Sequence, residues 1–210
     1  VPTRTARGLP PALSRHPYAV LRPRDAADVY VNPREEFRRL ADNGVLHPLG
    51  RGYYAIVPRQ AIGRPWRPEV EVAALGIGQA DYGTGRVALM GASAARYHGA
   101  IPRALSVAVL AVPVQRAPHD IDGGQVVFVK RDVATLDVER ATRLATDGYV
   151  TTVEQTLVDL AARPTLGGLE PAQADEAIAA LAARADWDRA EVIARRLRKV
   201  TALRLARVRL

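Results

Sequence analysis

Cysteine is absent from the 210 residues. That excludes a disulfide framework and thiolate metal sites, and it fits a reducing compartment. Lysine is almost absent as well, with only Lys130 and Lys199, so the basic charge is carried by arginine, as a GC-rich genome tends to give. Long apolar runs are also missing. The longest, residues 104–114, contains Pro113 and falls well short of the roughly 20 residues that a membrane helix needs. Residues 1–17 mix arginine with proline and hold no apolar stretch of the signal-peptide kind. The expectation is a soluble cytoplasmic protein with no membrane partner. Hydrophobic residues at 48% and charged residues at 25% are enough to build an ordinary buried core.

What is present is segregated charge. Residues 1–67 hold 12 arginines and 5 acids, a net +7, and residues 193–210 hold 7 basic residues and no acid. The 125 residues between them are acidic, with 17 acids against 11 bases. Genome bias accounts for arginine over lysine but not for a basic head, an acidic body and a basic tail. Such a distribution points to a polyanion at one or both ends. The basic tail also suits a plain solvated helix face or an acidic partner protein.

Turn and cap signals divide the chain. Residues 9–16 and 24–30 read as short helices, each opened by proline. Residues 33–42 carry the strongest helix signal. Asn32 is placed to cap, Pro33 suits the first turn, Glu35 completes a capping-box pattern, and Phe37, Leu40 and Ala41 recur at helical spacing before Asn43-Gly44. Two extended runs, 45–49 and 53–57, flank Gly50-Arg51-Gly52 as a hairpin. Three short helices and a hairpin are the order of a winged helix-turn-helix. Residues 59–68, with Pro65, Pro68, Gly63 and Trp66, read as a linker. Beyond it, helices are expected at 69–82, 92–97, 153–161, 171–185 and 187–199, and strands at 105–112, 125–130 and 149–151. Thr152 with Gln155 suits the cap of the third of these helices. The last eight residues fit neither template. The predicted class is α+β: a winged-helix domain over 1–58, a linker over 59–68, and a larger mixed α/β domain over 69–210 that ends in helices.

Arg34 and Arg38 lie four apart and share one face of the 33–42 helix, with Arg39 beside them. A helix of this kind enters a major groove and offers guanidinium groups to guanine edges or phosphates. Arg51, at the hairpin tip, is placed to meet phosphate or a minor groove. Arg4 and Arg7 add charge on the N-terminal arm. The same residues also suit a solvated basic helix or a hairpin that docks a protein, and Glu35, Glu36 and Asp42 would repel phosphate unless turned away.

Catalytic constellations do not assemble. Gly76-x-Gly78 has Asp81 where a dinucleotide fingerprint needs a third glycine. Asp120-x-Asp122 runs into Gly123-Gly124 and reads as a turn, and Ser93 falls in a helical pattern remote from it. Phe128 stands where a restriction-type nuclease needs an acid, two residues before Lys130. His16, His47, His98 and His119 have no metal-ligand spacing. No enzyme, metal or cofactor is expected.

Three ordered segments carry a family resemblance: residues 40–56 (Gly44, Leu46, Arg51, Gly52 and Tyr54), residues 87–99 (Gly91, Ser93, Ala94, His98 and Gly99) and residues 150–161 (Thr152, Glu154, Thr156, Leu157 and Asp159). Together they resemble the AbiEi family of bacterial antitoxins, including the mycobacterial MenA type. The resemblance implies a non-enzymatic antitoxin and transcriptional regulator, whose winged helix binds operator DNA and represses its own operon. It further implies a cognate nucleotidyltransferase toxin as partner, and two copies reading inverted repeats. Family members often carry several arginines across the wing. Here His47, Pro48 and Leu49 precede a single Arg51, which shifts the expected contacts toward Arg34, Arg38, Arg4 and Arg7. A protein-interaction antitoxin without DNA binding and a metabolite-responsive repressor are the alternatives.

Overall fold

The computed structural model describes residues 8–14, 16 and 19–208. Arg4 and Arg7 lie outside the described residues. The protein is a mixed α+β fold with eight α-helices and two sheets among them.

The N-terminal sheet has three strands in the order β1-β3-β2: β1 (Val20–Leu21), β2 (Leu46–Gly50) and β3 (Tyr53–Ile56), all antiparallel. Helix α1 (Pro11–Ser14) precedes it. A 3-10 turn (Pro23–Ala26) and helix α2 (Pro33–Asp42) separate β1 from β2. The helix expected at 24–30 is thus a 3-10 turn extended by carbonyl bonds from Ala26 to Val29 and Tyr30. Helix α2 begins and ends where its signals placed it, although the Asn32 side chain makes no cap hydrogen bond. Phe37 and Leu40 point inward from α2, and the Phe37 ring meets Tyr54 edge-on at 5.3 Å. Leu13, Leu21, Ala26, Val45 and Leu46 complete this small core.

Residues 58–68 run from β3 through a short 3-10 turn (Arg59–Ala61) into α3 (Val70–Tyr82), and Trp66 packs on the larger core beyond. The second sheet has six strands in the order β6-β7-β5-β4-β9-β8. Its members are β4 (Ala88–Leu89), β5 (Val107–Val112), β6 (His119–Ile121), β7 (Gly124–Lys130), β8 (Val138–Arg140) and β9 (Tyr149–Thr151). β5 runs parallel to β7 and β4 parallel to β9, while the remaining pairs are antiparallel. Helix α4 (Gly91–Tyr97) follows β4, and its Ser93 hydroxyl accepts the Val109 amide at 2.8 Å. Ser93 therefore ties helix to sheet, and His98 does likewise through Nε2, 2.7 Å from the Thr151 carbonyl.

Helices α5 (Val153–Ala162), α6 (Pro171–Ala182), α7 (Trp187–Arg196) and α8 (Val200–Val208) pack with α4 into an alanine- and leucine-rich bundle. Thr152 caps α5 as expected, accepting the Gln155 amide. The tail that fitted neither template is helical in α8, with Leu203 and Ala206 buried one turn apart. No helix among the described residues is long and apolar enough to cross a membrane.

The two sheets share one core. Val20, Leu49, Tyr53 and Ala55 from the small sheet are buried with Ala73, Leu75 and Ile77 of α3 and with Leu110 of β5. At Gly76 the backbone of α3 comes so close to β1 that a Cβ there would overlap the Val20 side chain. The N-terminal module is therefore seated on the large sheet through α3.

Candidate nucleic-acid interface

The β2–β3 hairpin turns through three successive residues of positive φ: Gly50 (88°), Arg51 (48°) and Gly52 (82°). Glycine adopts that region freely, whereas a non-glycine residue there costs about 1–2 kcal/mol. The strained arginine is the exposed tip, so the local cost coincides with presentation of a guanidinium group. Behind the tip the hairpin rests on β6. A Cβ at Gly50 would come within 3.4 Å of the Asp120 carbonyl, and His47 Nε2 lies 2.9 Å from the Asp122 carboxylate. The Tyr53 ring meets the fully buried His119 edge-on at 5.3 Å.

Asp81, near the end of α3, is the electrostatic hub of this seat. Tyr53 donates its hydroxyl to Asp81 Oδ2 at 2.6 Å, while Arg22 and Arg116 each approach the carboxylate to 2.5 Å. Burial alone would raise the Asp81 carboxyl, but hydrogen bonds from Tyr53, Arg22 and Arg116 outweigh it and hold the pKa below its ordinary value. Arg22 also grips Asp25, and Arg24 stands 3.5 Å from Asp81. Three elements far apart in sequence thus meet at one carboxylate.

Between the 3-10 turn, the N-terminal end of α2 and the hairpin tip lies an open cavity of about 770 Å³. Its cations are Arg22, Arg24, Arg34 and Arg51, and its acids are Glu35 and Asp81. Arg38 follows Arg34 one turn along the exposed face of α2. Among the described residues, no hydrogen bond or ion pair engages the side chains of Arg34, Arg38 or Arg51. Arg39 differs, because its guanidinium holds Glu36 at 2.6 Å. That pair neutralises one of the two helix acids in the first turn and occupies Arg39. The structure therefore brings Arg34, Arg38 and Arg51 to one surface and gives Arg39 an intramolecular partner. It adds Arg22 and Arg24, which the sequence did not single out: their relation to Asp81 spans 59 positions in the case of Arg22, and no local spacing records it.

The other constellations weighed from sequence take structural places. Asp120 accepts the Gln125 side-chain amide, Asp122 faces His47, and Gly123 carries the turn between β6 and β7. Among the described residues, no group of three or more His, Cys, Asp or Glu is arranged to hold a metal ion.

No protein-family model matches the chain, and no curated protein matches it. Among solved structures it is similar to the crystal structure of the RV2827C protein from Mycobacterium tuberculosis, at 21% identity and a TM-score of 0.48, over 94% of this chain and 78% of that one.

Proposed function

We propose that the N-terminal domain, residues 1–58, is a winged helix that binds operator DNA, and that the chain is an AbiEi-type antitoxin acting in the cytoplasm. In this reading it represses its own operon and counteracts a cognate nucleotidyltransferase toxin. The observation that carries the DNA-binding part is the set of Arg34, Arg38 and Arg51 guanidinium groups, exposed without intramolecular partners along α2 and the adjoining hairpin tip. The order helix, strand, turn, helix, strand, strand, with the sheet arranged β1-β3-β2, supports the winged-helix reading.

In this mechanism α2 lies in the major groove, with Arg34 and Arg38 reaching base edges or phosphates, and Arg51 meets the backbone or minor groove beside it. Glu36 is already held by Arg39, which reduces the acid that would face phosphate. Arg24, exposed at the edge of the cavity, extends the positive rim, while Arg22 is held by Asp25 and Asp81. Because the hairpin is anchored through Tyr53, Asp81 and His119, Arg51 is presented at a fixed distance from α2. The large domain thus contributes to DNA binding by holding the wing in place, and two copies would read an inverted repeat. The antitoxin role, the toxin partner and the absence of catalysis follow from the family resemblance of residues 40–56, 87–99 and 150–161.

Fluorescence anisotropy with duplex from upstream of the gene and a scrambled duplex, at low and moderate salt, tests the DNA half. Tighter binding to the upstream duplex is expected, with Arg34→Ala/Arg38→Ala weakening it by about 10- to 100-fold and flattening the salt dependence by roughly two phosphate contacts. Equal, weak binding to both duplexes, unchanged by the substitutions, removes the repressor reading. Co-expression with the neighbouring toxin tests the other half: growth restored by the chain supports an antitoxin, and unrelieved toxicity rejects one.

A further inference from the structure

A second cavity, of about 400 Å³, lies where α5 and the α7–α8 turn approach the large sheet, and it shares no lining residue with the first. Five basic side chains surround it: Arg131 just after β7, Arg163 at the end of α5, and Arg196, Arg198 and Lys199 at the α7–α8 turn. None of the five makes an ion pair among the described residues, although Arg131 donates to the Lys130 carbonyl. Met90, Ala162, Leu166 and Leu197 supply the apolar part of the wall.

Asp159 of α5 is the acid lining this cavity, and it is nine-tenths buried. Its Oδ2 atom has no hydrogen-bond partner. A buried carboxylate oxygen without a partner is costly, and here no ion pair with any of the five bases of the cavity wall relieves it. Burial pushes its carboxyl up to about 6, against the opposing pull of Arg131, Gln155 and Lys199. Arg198 is one of two non-glycine residues with positive φ among those described, at 57°, and it too is an arginine on a cationic rim.

We propose that this cavity binds a small phosphorylated molecule that also carries an N–H donor, of the size of a nucleoside phosphate. The five cations suit a multiply charged phosphate group, with arginine able to bind its oxygens in pairs. The unpartnered Asp159 oxygen suits an amino or amide N–H on the same molecule. The apolar wall suits a ring or chain between those two ends, and the volume falls within the range of small-molecule sites. A phosphate alone would satisfy the cations but meet repulsion from Asp159, so the acid selects for the donor. This inference stands apart from the DNA-binding reading, since it draws on different residues.

The test is calorimetric titration of the full chain, in phosphate-free buffer, with adenosine diphosphate and with inorganic pyrophosphate. Adenosine diphosphate should bind about tenfold more tightly than pyrophosphate, the size of one charge-assisted hydrogen bond. Asp159→Asn should strengthen pyrophosphate binding and bring the two ligands within about threefold. Arg196→Ala/Lys199→Ala, at two exposed positions, should weaken both ligands by at least about tenfold with the melting temperature unchanged. Three results would overturn the proposal: no binding of either ligand at millimolar concentration, equal binding of both to the wild type, or loss of generic duplex binding in the Arg196/Lys199 variant without any nucleotide response. The last would assign the cationic ring to nucleic acid instead.

Discussion

Around the α2 cavity, four arginines share the surface with Asp81, whose carboxylate is engaged by Tyr53, Arg22 and Arg116; around the α5 cavity, five bases surround Asp159, whose Oδ2 has no partner. The ingredients are alike, several cations and an acid that is half-buried in one case and buried in the other, but the acids do different things. Asp81 consumes two of its cations and fixes the hairpin, so that Arg34 and Arg51 are left pointing outward from a rigid frame. Asp159 forms an ion pair with none of its cations, and its Oδ2 is left without a hydrogen-bond partner. Under the two proposals, the saturated acid frames a surface for a large partner, and the unsaturated one, in a smaller cavity, leaves a place for a small one.

The largest expected effect comes from breaking the first hub. Asp81→Ala leaves Arg116 without its acid, leaves Arg22 with Asp25 alone and removes the acceptor of the Tyr53 hydroxyl, so urea unfolding should show a loss of roughly 3 kcal/mol. DNA affinity should fall with it, because Arg51 loses its fixed position. A loss below about 1 kcal/mol would mean that the hairpin seat rests on apolar packing alone.

Breaking the second acid should do the opposite. Asp159→Asn removes a charge that folding disfavours, so the variant should be more stable than wild type by roughly 1–3 kcal/mol at pH 7.5. Its folded carboxyl titrates near 6 against an ordinary 3.8, so the charged form costs stability above about pH 6 and the cost disappears as pH falls toward 3.8. The variant's advantage should shrink over the same window, and a destabilised variant at pH 7.5 would show that the carboxylate is structurally satisfied after all.

His119 sharpens the comparison with a smaller effect. Burial, then Arg51 and Arg116, depress its pKa below the ordinary 6.5, against the Leu49 backbone and Asp120, which pull the other way. The unfolded chain therefore takes up a proton that the fold resists. Stability from this group is complete above about pH 6.5 and falls as pH drops below it. A His119→Asn variant should lose less stability between pH 7.5 and 5.5 than wild type does; identical losses would move the acid sensitivity elsewhere.

The smallest effect is expected at Arg39. Its exposed pair with Glu36 contributes little, so Arg39→Ala should leave the urea midpoint unchanged and alter operator affinity by less than about threefold. A loss as large as that of the Arg34/Arg38 variant would show that Arg39 leaves Glu36 to contact DNA.

Much of the frame was legible from local signals. Pro33 and Asn43-Gly44 bounded α2 correctly, Gly50-Arg51-Gly52 marked the hairpin, and Thr152 marked the start of α5, because each is a backbone requirement written in one or two residues. Strands β1 and β4 were missed because two residues carry no alternation to read. β6 and β8, at three residues each, owe their extended form to their neighbours in the sheet. Of the first cavity, Arg34, Arg38 and Arg51 were visible as helix and turn positions, whereas Arg22 and Asp81 come together only through the packing of α3 on β1. The Arg39–Glu36 pair was within reach of the i,i+3 rule, but Arg39 was grouped with its neighbours by charge. Asp159 stood out only through the family resemblance. Its neighbours Val158 and Leu160 read as an ordinary helix, and nothing in that spacing tells that the helix is covered on the side of Asp159.

Two basic cavities are proposed to take different ligands, and one measurement separates them most directly. Wild type, Arg34→Ala/Arg38→Ala and Arg196→Ala/Lys199→Ala would each be titrated with operator duplex and, separately, with adenosine diphosphate under the same buffer and salt. The predicted result is a crossed pattern: the first variant loses the duplex and keeps the nucleotide, and the second keeps the duplex and loses the nucleotide. Both ligands lost together in either variant, or neither lost in both, would contradict it.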